Sequence, residues 1–232
     1  MSYGRQKGSR GARVEIRGSS LLWRGRAGPK LRLFLLALSA LCLLTPACSA
    51  SAQPGPFGLT WGMSRDEARS LPGCEVIRED EGEFFSAIVA SRLPKGLNDT
   101  DSYGLLFSRR DGLVRVQWSS TLFADDARGT GARTRYAELK GLLEQSYGTA
   151  RSREVPWPKA GWEPLKFFAC VADPKCGPYE STWSAGPVVI RLEIRGEGQS
   201  AGRVRLSYQH ERFSSALEQS DEAREQRQRD AL

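Results

Sequence analysis

Three stretches of the chain alternate apolar and polar residues with a period of two. Val114, Val116 and Trp118 share one face of the first, with Arg115, Gln117 and Ser119 opposite. Val188, Ile190, Leu192 and Ile194 mark the second, and Val204, Leu206 and Tyr208 the third. Such alternation predicts antiparallel strands with one face covered and one wet. Shorter apolar runs at 84–90, 103–108, 167–171 and 179–183 predict further strands, and residues 79–82 read as a polar turn. Asp111-Gly112 marks a hairpin, and the glycine-rich 196–202 segment links the last two strands.

Two segments break this period. Ser64 with Glu67 forms a capping box for a short helix that Pro72-Gly73 stops. Tyr136, Leu139, Leu143 and Tyr147, with Leu142 widening the stripe, predict a second helix over 134–146 ending at Gly148. The order predicts an α+β fold: an antiparallel β-sheet with two helices packed on one face, which also reads as two helix-then-meander halves. The polar 214–232 tail is a charged helix or disordered.

Residues 33–44 are apolar apart from Ser39, a run that suits a signal-peptide core and falls short of the ~20 residues needed to span a bilayer. Nine basic residues and one acid fill the chain up to Ala52, so 1–52 reads as a signal peptide. Ala50-Ser51-Ala52 would release a soluble chain beginning at Gln53. Thr45-Pro46-Ala47-Cys48 resembles a lipobox that would instead lipidate Cys48, although Thr45 and Pro46 are atypical there.

Subtracting this segment changes the electrostatic picture. The whole chain carries +7, but 1–52 carries +8, leaving −1 on 53–232. That near-neutral remainder has no basic run, so a nucleic-acid partner is not expected, and a membrane is expected only through a lipid anchor at Cys48. The length suits one domain, over 53–213. Of the five cysteines, Cys170 and Cys176 bracket an Asp-Pro turn and predict a disulfide across a hairpin, as an oxidising compartment would favour. Zinc is the rival for this pair, but the spacing is long and no second pair exists, so no metal or other cofactor is predicted.

Phe57-Gly58-Leu59-Thr60-Trp61-Gly62-Met63-Ser64-Arg65-Asp66-Glu67 resembles the opening of many bacterial secreted domains of unassigned function, Phe-Gly-x-x-Trp-Gly-Met-Ser/Thr-x-x-Asp/Glu. The resemblance implies a short strand turning into a capped helix, and no activity.

His210, the one histidine, continues the apolar face of the last strand and reads as a core-edge residue; a hydrolase would need it or a carboxylate pair. Glu79, Asp80, Glu81 and Glu83, like Asp125 and Asp126, fall where turns are expected. Gly129-Thr130-Gly131 precedes a helix and reads as a plain loop rather than an anion site. The least ordinary loop, 155–164, holds Trp157 and Trp162 among three prolines, as a lid on the core or as a rigid aromatic surface for a ligand. The sequence thus predicts a non-catalytic extracytoplasmic binding or structural module of the bacterial envelope, whose partner is an envelope protein or glycan. The alternatives are an envelope hydrolase using carboxylates or His210, and an inhibitor or chaperone-like partner of a secreted protein.

Overall fold

Alternation along the strands becomes a single antiparallel sheet. The computed structural model describes residues 53–232, which fall in one compact unit; residues 1–52, where a signal peptide and lipidation of Cys48 were expected, lie outside the described residues. In chain order the elements are α1 (Arg65–Arg69), β1 (Glu75–Glu81), β2 (Phe85–Arg92), β3 (Thr100–Ser108), β4 (Gly112–Ser120), α2 (Thr130–Tyr147), β5 (Arg151–Glu154), α3 (Phe167–Ala172), β6 (Tyr179–Ala185), β7 (Val188–Gly196), β8 (Gly202–His210) and α4 (Arg212–Asp230). The eight strands pair in the order β1-β2-β3-β4-β8-β7-β6-β5. A helix followed by a four-stranded meander therefore occurs twice, and the two meanders join through their closing strands.

One face of this sheet is the core. Tyr103, Val116, Trp118, Leu206, Ile190 and Leu192 lie on it and are buried. Each such side chain contributes about 1.5–3 kcal/mol through removal from water. The long helix α2 packs over β6, β7 and β8, and the short α3 over β7. Helix α1 lies against β2, with Arg65 and Arg69 reaching Glu79 and Glu81 on β1. The C-terminal helix α4 takes the other face: Phe213 meets the ring of Phe85 and the guanidinium of Arg115, both on that side of the sheet by register. Its Ala216 and Ser220 are also buried, so the polar tail is a helix anchored along its first turns.

Several local expectations are corrected. Residues 57–63 contain a 3-10 turn, Pro56–Gly58, and a single bridge from Pro54 to Thr60 in place of a strand. The capping box that follows is present, with Ser64 Oγ accepting from the Glu67 amide at 3.2 Å and the Glu67 carboxylate accepting from the Ser64 amide at 2.7 Å. Residues 79–81 belong to β1, an edge strand whose acids answer the arginines of α1. Residues 167–171 are helical, because Phe167 and Phe168 are both buried and adjacent residues on a strand would point to opposite faces. Phe168 lies over Gly196 and Gly202, paired at the end of the β7–β8 ladder, where a Cβ on either would overlap the α3 backbone or the Phe168 ring. Leu142 is 56% exposed, so the α2 stripe is narrower than its pattern suggested. Both edge strands, β1 and β5, are rich in charge, which discourages pairing with another chain.

Candidate binding surface

The aromatic loop turns inward. Trp157 is half-buried, edge-on to Phe167 with centroids 5.3 Å apart, and Trp162 packs on the cluster formed by Val155, Cys170 and Cys176. Cys170 and Cys176 are buried at disulfide distance, Cα to Cα 5.2 Å. They bridge the end of α3 and the turn after it, where a hairpin was expected; the Asp173 carboxylate accepts from the Lys175 amide and its carbonyl from the Cys176 amide. The structure thus gathers Trp157, Trp162, Cys170 and Cys176 into one satellite cluster, with the indoles lying over the cysteines and α3.

His210 is 2% exposed, its ring tilted 58° to that of Trp61 with centroids 5.5 Å apart, and its Nδ1 accepts from the Arg212 amide at 3.2 Å. Burial, then the nearby Arg212 charge, lowers its pKa below 6.5, against the smaller opposing pulls of Glu211 and Asp111. The folded protein therefore favours the neutral ring, whereas the unfolded chain takes up a proton as pH falls through 6.5. Stability should be complete above that pH and decline below it, down to the folded pKa. In an NMR titration, the single imidazole should show a midpoint below 6.5, and His210→Gln should flatten the acid limb of the stability curve. A midpoint at or above the ordinary value would contradict this account.

The carboxylates are taken up by cations on neighbouring elements. Glu79 and Glu81 face Arg65, with Arg69 and Arg109 as further partners, Asp80 pairs with Arg78, and Glu83 with Arg227. Asp126 has a role that the sequence reading missed: it accepts from the Thr130 amide at 2.7 Å and from the Ala132 amide at 3.1 Å. The chain itself thus supplies the anion at the α2 N-terminus. Its signal was an aspartate four residues ahead of the first helical residue.

On the wet face of the second meander, polar and charged residues fall into cross-strand rows. Register places Ser207 between Gln117 on β4 and Arg191 on β7, and Thr182 on β6 between Arg191 and Arg151. A parallel row runs Ser119, Arg205, Glu193, Glu180, Arg153. Glu193 and Glu180 sit directly opposite each other, an arrangement that is unfavourable unless cations flank it. Arg153 donates to Glu180 from both Nε, at 2.9 Å, and Nη2, and Arg195 pairs with Glu193 at 3.0 Å. Even so, cations exceed anions: β5 presents Arg151 and Arg153, β7 Arg191 and Arg195, and β8 Arg203 and Arg205, against Glu180, Glu193, and the Glu197 and Asp101 that pair with Arg203 and Arg205. Arg151 pairs with no carboxylate among the described residues, while Arg115 on β4 lies against the Phe213 ring of α4.

Among the described residues, no helix is long and apolar enough to cross a membrane. Comparison of the chain with protein-family models, with curated proteins and with solved structures finds no match.

Proposed function

We propose that this protein is a non-catalytic binding module of the bacterial cell envelope, exported by its N-terminal segment, and that it meets its partner on the outer face of β5–β8. The observation that carries this reading is the cation surplus on that face, on a domain whose net charge is near zero. Guanidinium groups held on strands are pre-organised for carboxylate or phosphate, so little side-chain entropy is lost on binding. The serine, threonine and glutamine floor between them is short enough to let a partner approach the backbone. Export is supported by the apolar run of 33–44 and by the buried cysteine pair, which suits an oxidising compartment. The neutral, buried His210 weighs against a hydrolase built on it.

A photo-crosslinker placed at Ser207, in the middle of the face, and at Leu142, exposed on α2, tests the proposal in cells that export the protein. Discrete adducts with an envelope glycan, lipid or protein are expected from Ser207 and not from Leu142. Identical adduct patterns from the two positions would sink it.

A further inference from the structure

Resting on that reading, the geometry points to a phosphate-binding notch at the outer end of this face, formed by Arg151, Arg153, Arg191 and Thr182 above the buried carboxylate of Glu180. These five residues line a cavity of about 250 Å³. Its volume suits the head of a ligand rather than a whole drug-sized molecule, for which pockets usually begin at about 300 Å³.

Charge determines which head fits. Glu180 is only 8% exposed and is held by Arg153, with Arg191 Nε 3.8 Å from its second oxygen. It neutralises one guanidinium and ties two of them to the notch floor. Arg151 stands across β6 from Arg191, with Thr182 between them, and it pairs with no carboxylate among the described residues. Three cations against one anion leave a surplus of two charges. A phosphate monoester carries about −1.5 to −2 at neutral pH, with oxygens placed for the planar fork of arginine. A single carboxylate would cancel only half of that surplus. Thr182 Oγ1 donates to the Arg151 carbonyl at 3.2 Å, so its proton is committed and the arginines supply the donors to an anion in the notch. The surplus is local to this end of the face, since Arg203 and Arg195 are already paired, with Asp101 and Glu197 and with Glu193. The ligand class is therefore a phosphate monoester.

Glucose 6-phosphate and glucuronate separate the alternatives, because they share a sugar and differ in the charge and shape of the acid. Arginine Nε–Hε resonances report the binding on the intact exported chain. Glucose 6-phosphate should shift the signals of Arg151 and Arg191 saturably, and glucuronate should bind about tenfold more weakly or worse. Arg151→Gln and Arg191→Gln should each lower the affinity for glucose 6-phosphate about tenfold with an unchanged thermal midpoint, while Arg195→Gln, on the same face but outside the notch, should leave it unaltered. Equal affinity for the two sugars, or an equal loss in Arg195→Gln, would overturn the assignment. Binding of methyl-α-glucose 6-phosphate comparable with that of glucose 6-phosphate would support the phosphate-ester class, whereas binding of inorganic phosphate alone would restrict the notch to the free ion and overturn it. Loss of notch binding with Ser207 adducts retained would refute the notch and leave the binding-module reading standing; the reverse result would refute the module and not the notch.

Discussion

Trp118→Ala should destabilise the protein by about 3–5 kcal/mol, read as a lower urea midpoint. Trp118 is fully buried on the core face of β4, opposite Tyr103 on β3 and Leu206 on β8. It therefore sits where the two meanders meet, and truncating it leaves a cavity that neither half can close alone. Its polar edge matters as well: Nε1 donates to Thr100 Oγ1 at 2.8 Å, and that hydroxyl donates in turn to the Leu97 carbonyl at 2.6 Å. Tyr103 completes the set by accepting from the Leu97 amide at 2.7 Å. Trp118→Phe keeps much of the volume but removes one of the two donors to Thr100 Oγ1, leaving only the Tyr103 hydroxyl at 3.0 Å, for a loss of about 1 kcal/mol. A Trp118→Ala midpoint equal to that of the parent would contradict this account of the core.

The second large effect is expected at Gly129, the residue before α2. Its φ is +65°, and a Cβ there would fall inside the ring of Phe167 on α3. Gly129→Ala thus combines a left-handed backbone, costing about 1–2 kcal/mol, with overpacking of about 1–3 kcal/mol. A net loss near 3 kcal/mol is expected, with Phe167 displaced and the Trp157 edge contact loosened. Gly141→Ala supplies the opposite sign: it lies within α2 with open space around its Cα, so alanine should stabilise by about 0.5–1 kcal/mol. Calorimetry on the pair separates a steric role for Gly129 from a general response of α2 to added methyl groups. Equal effects at the two sites would remove that distinction.

The covered sheet was legible because its signal is local. Alternation in 114–119, 188–195 and 203–210 is set by the strand period, and the Ser64 and Glu67 cap by the helix start, so both could be read without knowing the neighbours. The misread elements depend on partners far away in the sequence. β1 carries acids on its inner face because the arginines of α1 come over it. β5 has no apolar residue because it is an edge strand, fixed by pairing to β6. Residues 167–172 are helical because Gly196 and Gly202, some thirty residues later, leave a seat for Phe168. The arginines of the open face were visible one by one, on the polar side of each strand. Their convergence was not, since it depends on which strands become neighbours.

The strand order also determines how the molecule must assemble. Every ladder but one joins strands that follow each other in the chain, whereas β4 meets β8 across roughly ninety residues. Each meander pairs within its own half, and the β4–β8 ladder at the middle of the sheet carries the largest loop-closure entropy. A chain nicked between β4 and α2 would leave two fragments whose recombination depends on that ladder, which makes reassociation of the pieces a direct assay of the seam holding the protein together.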